Sequence, residues 1–96
     1  MVQAMFTLSQ TTPNITESNL TMEAAITRAA KDAALYYVEG CDLYMYNPIG
    51  SDPILLADLL AVLTGPGIQR LHAGQPIQLF IHHKGTTLWT ATITES

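Results

Sequence analysis

The residues in this chain whose types could do chemistry are Cys41, His72, His82 and His83, with carboxylates such as Asp42 and Asp58. His82 and His83 are adjacent, and neighbouring side chains on a strand point to opposite faces. The pair therefore cannot grip one metal ion in the ordinary way. A metal site would need His72 and a carboxylate such as Asp42 or Asp58 brought in by the fold, so neither metal nor cofactor is expected. Nucleophilic catalysis would need Cys41 or a serine beside a histidine base held by an acid. Cys41 stands just after an expected helix end, the opposite dipole pole from the one that activates a thiol. No nucleophile elbow, P-loop, dinucleotide fingerprint or HExxH occurs, and nothing in the residues argues for an enzyme.

The stretch Asn47-Pro48-Ile49-Gly50-Ser51-Asp52-Pro53 links an aromatic run to a leucine-rich segment. Ser51 or Asp52 is a favoured helix N-cap, Pro53 suits the first helical position, and Asn47-Pro48 with Gly50 makes the turn leading in. A phosphate-cradling loop would want several glycines and a Lys or Ser/Thr at the helix start, and Asp52 would repel an anion. The loop reads as punctuation between a strand and a helix.

The elements around these residues follow from length and pattern. With 96 residues, the chain is read as a single small domain over 1–96. Hydrophobic residues make up 48% but charged ones only 12%, against roughly 25% charged in an ordinary soluble domain. A surface with so few charges is poorly defended against association, and a homo-oligomer is the expected remedy. The net charge of −4 sets eight acids against Arg28, Lys31, Arg70 and Lys84, which are scattered. Without a basic cluster, nucleic-acid binding is not expected. The lone Cys41 gives no disulfide framework and fits a reducing cytoplasm. No secretion signal is read in the opening residues, and the greasy run from Ile54 to Leu63 is too short to cross a bilayer as a helix. A soluble cytoplasmic protein without membrane contact is expected.

Val2, Ala4, Phe6 and Leu8 alternate with Gln3, Met5 and Thr7, the period of a half-buried strand. Residues 9–20 are polar and contain Pro13, which predicts a long mobile loop. Met22, Ala25, Ile26, Ala29, Ala33 and Tyr36 or Tyr37 form a helical stripe within Thr21 to Glu39. Ser18, Asn19 or Thr21 can cap its start and Gly40 can end it. Cys41 to Tyr46 predicts an internal strand with Cys41, Leu43 and Met45 on one face and Asp42, Tyr44 and Tyr46 on the other. Pro53 to Leu63 predicts a helix whose core face is Leu55, Leu56, Leu59, Leu60 and Leu63. Its back, Ile54, Ala57, Asp58 and Ala61, is flat, small and nearly uncharged. Ile68 to His72 is expected to be a helical turn. The C-terminal segment predicts a hairpin around Lys84-Gly85-Thr86. A three-residue loop would set Ile81 against Trp89, Leu79 against Ala91 and Ile77 against Ile93, keeping the apolar residues on one face.

The run of strand, helix, strand, then Ser51 before a leucine-rich helix superficially resembles the histidine phosphocarrier family over about half of the chain. That family carries its phosphoryl-accepting histidine in the loop before the first helix, where this chain has none, and ends in a helix where a hairpin is expected here. Membership is not expected.

The order β-α-β-α-β-β predicts an α+β fold, a four-stranded, mixed or mostly antiparallel sheet with two helices packed on one face. The expected function is a non-enzymatic binding or regulatory module acting through protein–protein contacts as a homodimer. Its contact surface is read as the outer face of the second helix (Ile54, Ala57, Asp58, Ala61) or the second face of the hairpin (Phe80, His82, Leu88, Thr90). The alternative is a small-molecule binder or minor enzyme with a pocket between sheet and helices, lined by Tyr44, Tyr46, Trp89 and His82.

Overall fold

Three antiparallel hairpins build the sheet in the computed structural model, which describes residues 4–11, 14–37, 40–47, 50–54 and 58–96. The first hairpin is β1 (Phe6–Thr11) with β2 (Asn14–Leu20), the second β3 (Asp42–Asn47) with β4 (Gly50–Ile54), and the third β5 (Ile77–His83) with β6 (Thr86–Glu95). The third hairpin is central. Its β6 pairs with β1 and its β5 with β3, giving the order β2-β1-β6-β5-β3-β4 with every neighbour antiparallel. Helix α1 (Met22–Tyr36) joins the first two hairpins. A composite helical segment joins the last two: α2 (Leu59–Val62), a π-helical turn (Leu63–Gly67) and α3 (Ile68–His72).

The fold is α+β as expected, but the sheet has six strands rather than four. Residues 9–20 are not a long loop: Ser9 to Thr11 continue β1, and Asn14 to Leu20 return as β2. An edge strand bonds to one neighbour only and shows little surface to the core, so a polar sequence such as Asn-Ile-Thr-Glu-Ser-Asn-Leu suffices. The Gly50–Ile54 segment is likewise strand β4 and not the lead-in to a helix. It lies at the opposite sheet edge, where Pro53, paired with Tyr44, needs no amide to donate outward. The following helix starts at Leu59 instead of Pro53. Leu55, Leu56 and Ala57 lie outside the described residues.

Helix α1 begins where the Thr21 hydroxyl accepts the Ala24 amide at 3.1 Å, a serviceable N-cap. Its buried stripe is Ala25, Ile26, Ala29 and Ala33, and these small side chains let the helix lie close to the sheet. Leu59 and Leu63 enter the same core, but Leu60, expected beside them, is 52% exposed. One residue advances a helix by about 100°, which carries Leu60 off the stripe of Leu59 and Leu63. Pro66, which has no amide to give a helical bond, lies within the π turn. Gly67 seats this turn on the sheet: a Cβ there would stand 3.3 Å from both Ile77 Cδ1 and the Val62 carbonyl.

The central hairpin has the expected pairs Ile77 with Ile93, Leu79 with Ala91 and Ile81 with Trp89. They arise differently from the expected three-residue loop. The turn is the two residues Lys84-Gly85, with φ of 51° and 78°, the signature of a type I′ turn. His83 pairs with Thr86 and His82 with Thr87, after which the register shifts. Leu88 is the extra residue of a β-bulge, so the bulge supplies the offset that the loop was expected to supply. Leu88 is half-buried and packs against the core.

The core lies between the helices and one sheet face, around the fully buried Trp89, Phe6, Leu8, Ile77, Leu79, Ile81 and Ile93. Gln10 is the one buried polar residue among those described, and both ends of its amide are bonded. It accepts the Trp89 indole N–H at 2.8 Å and donates through Nε2 to Asp32 Oδ2 at 2.7 Å. Arg28 donates to the same Asp32 oxygen at 2.8 Å and pairs with Glu17 at 2.9 Å.

Two outcomes follow from this geometry. Gln10→Leu fills the same space but strands the indole N–H, so the urea midpoint should fall by the equivalent of about 1–3 kcal/mol with an unchanged slope. Lys84→Asn, better suited to positive φ, should raise stability by about 0.5 kcal/mol in the same measurement.

Candidate functional site: the open face of the sheet

Alternation gives the sheet two unlike faces. Residues paired across the strands at Phe6, Leu8, Leu43, Ile77, Leu79, Ile81, Trp89, Ala91 and Ile93 are buried under the helices. The intervening positions point the other way, where no described element covers them. Along β6 these are Thr90, Thr92 and Thr94, and by register Ser9 stands opposite Thr92, Thr7 opposite Thr94 and Thr16 opposite Ser9. Several of these hydroxyls bond to one another: Thr7 to Ser96 at 2.7 Å, Thr7 to Ser18, and Thr11 to Thr90. β-Branched threonine fits a pleated strand, and mutual bonding makes the surface less dependent on water.

Toward β3 the hydroxyl rows give way to rings. Tyr44 and Phe80 are cross-strand partners whose rings stack with centroids 5.3 Å apart and planes 22° from parallel. His82 meets Phe80 edge-on at 4.9 Å and Tyr44 at 5.9 Å. Pairs of this kind contribute about 0.5–1.5 kcal/mol beyond their area. Asp42 stands opposite His82 in the ladder. Together with Gly85 of the turn these four residues border a shallow depression of about 350 Å³. Among the described residues Asp42 is the one acid on this face, and no lysine or arginine stands on it.

Phe80, His82 and Thr90, expected at a contact surface, do share this face, and each is half-buried. Leu88 does not join them, because the bulge turns it toward the core. Asp58 and Ala61 are exposed on the helical side of the molecule, so the two sequence-derived patches do not form one surface. Ile54 is described by its backbone alone, in β4, and Ala57 lies outside the described residues.

The four residues expected to line a pocket are not brought together. Trp89 is wholly buried on the helix-covered face, while Tyr44 and His82 stand on the open face. The physical reason is parity: Trp89 is opposite Ile81, one residue out of phase with His82. Tyr46 pairs with Gln78 along the backbone, and its side chain lies outside the description. Cys41 is buried, and His72 is exposed at the end of α3. Among the described residues no group of three or more His, Cys, Asp and Glu is placed to hold a metal ion. The hydroxyl rows had a signal in the sequence, the alternation of Thr7, Ser9 and Thr11 with Leu8 and Gln10. It is hidden while residues 9–20 are read as a loop.

The opposite fates of neighbouring aromatics give a direct check. Trp89→Ala should cost about 3–5 kcal/mol of unfolding free energy, as a fully buried truncation does. Phe80→Ala should cost about 1–2 kcal/mol, the loss of a partly exposed stacked pair.

Comparison with family models, with curated proteins and with solved structures found no match to this chain.

Proposed function

We propose that this chain is a non-enzymatic binding or regulatory module that acts through protein–protein contacts in the cytoplasm, as a homodimer joined through the open sheet face. The observation that carries this reading is the aromatic group Tyr44, Phe80 and His82, left uncovered on a face that has no lysine or arginine among the described residues. Half-buried rings beside self-bonded hydroxyls lose little on leaving water, and sheet faces pack on one another at about 10 Å with interlocking side chains. The low charge of the whole chain, 12%, supports the same reading, since few repulsive groups oppose a second copy.

The helical patch at Asp58 and Ala61 is the weaker of the two surfaces, because α2 spans only four residues. The pocket alternative loses its lining when Trp89 is committed to the core. Direct nucleic-acid binding has no support, with one of the four cations, Arg28, already paired to Glu17 and Asp32. No described helix is long and apolar enough to cross a membrane.

Sedimentation equilibrium at micromolar protein tests the proposal. The wild type should sediment as a dimer, the double variant Phe80→Lys/Thr90→Lys as a folded monomer, and Asp58→Lys as a dimer. A monomeric wild type, or a dimer that survives the Phe80 and Thr90 changes, overturns it.

A further inference from the structure

On the helical side of the molecule, away from the open sheet face, the first turns of α1 and the α2–π–α3 segment enclose a groove of about 600 Å³. That volume lies within the roughly 300–1,000 Å³ of small-molecule sites. Met22 and Ile26 of α1 supply one apolar wall, and Leu60 and Ile68 the other. Leu60 is one of two large hydrophobic residues left exposed among those described, and it lines this groove. The second wall includes the π turn, a distortion often found at functional sites, and Gly67 anchors it against Ile77. The groove is thus built on a fixed support.

Its polar rim is three hydroxyls, of Thr21, Thr27 and Thr64, and one carboxylate, of Glu23. Thr64 lines the groove and already donates its hydroxyl proton to the Leu60 carbonyl at 2.9 Å, so its oxygen is left to accept. Glu23 is the single ionisable side chain among the lining residues, and the ion pairs among the described residues do not involve it. An anion would be repelled by that carboxylate. A neutral apolar molecule would cover it without compensation. A cation with an apolar body answers both walls and rim.

We propose that this groove binds a small organic ammonium ion, its aliphatic part against Met22, Ile26, Leu60 and Ile68 and its protonated amine at Glu23. The site is independent of the dimer face and can fail or stand without it. The test uses three probes of one chain length, n-hexylammonium, n-hexanol and n-hexanoate, titrated into isotope-labelled protein while backbone amide shifts are followed. Saturable shifts should fall at Thr21 to Thr27 and Leu60 to Ile68. The ammonium should bind about two- to five-fold more tightly than the alcohol, as expected of a solvent-accessible ion pair, and the carboxylate most weakly. Glu23→Gln should erase the advantage of the ammonium over the alcohol, and Glu23→Asp should keep it. Equal binding of the three probes, an advantage that survives Glu23→Gln, absence of saturable shifts, or shifts centred on Tyr44 and Phe80 would each overturn the assignment.

Discussion

The contact on which the architecture turns is the chain of polar groups running from the centre of the core to the surface: Trp89 to Gln10, Gln10 to Asp32, Asp32 to Arg28, Arg28 to Glu17. Its members come from β6, β1, α1 and β2, so it ties the first helix to three adjacent strands. An indole is too large to bury without a partner for its N–H. Gln10 is the partner, and as an amide it must in turn satisfy its own donor, which Asp32 does. The outer end is electrostatic. The Arg28 guanidinium is held above its ordinary pKa, first by its hydrogen bond to Asp32 and then by the charges of Asp32 and Glu17. Apolar packing along an alanine stripe is smooth and allows sliding; these directional bonds fix where α1 sits.

With α1 and the composite helical segment gathered on one face, the other sheet face is left to solvent or to a partner. The division of labour is sharp. One face is filled by Leu, Ile, Phe and Trp, and the other carries threonine and serine rows that end in a Tyr–Phe–His group. Few charges are available to this chain, and those described cluster little on the open face. The open face and the groove among the helices share this shortage: Asp42 is the one charged side chain described on the first, and Glu23 the one ionisable side chain lining the second.

The β-bulge at Leu88 shows how local turn chemistry and global packing are reconciled. Lys84-Gly85 imposes a two-residue turn, which taken alone would oppose Ile81 to Leu88 and send half of the apolar residues to the wrong side. Burial of Trp89, Leu79 and Ile77 outweighs one lost ladder position. The strand therefore takes up the extra residue and restores the register within three residues of the turn.

What the sequence determined by itself was part of what short-range periodicity governs: the α1 stripe from Ala25 to Ala33, with Thr21 among its three candidate caps, and the alternation of Leu43 with Asp42 and Tyr44. Burial repeats at fixed spacing in these segments, so the pattern is readable without knowing the neighbours. The pairing of Ile81 with Trp89 is reached from the sequence through a three-residue loop that the strand replaces with a bulge, and the period over 53–63 misplaces the helix start and Leu60. Only the tertiary structure decided that residues 14–20 and 50–54 are strands, because an edge strand draws its stability from hydrogen bonds to a distant partner and needs no apolar period of its own. The same holds for the candidate sites. Phe80, His82 and Thr90 could be placed on one face from β5 and β6 alone, but Trp89 belongs to the other face. The rows of Thr7, Ser9 and Thr16, and the groove between Met22 and Ile68, exist only where segments far apart in the chain are brought side by side.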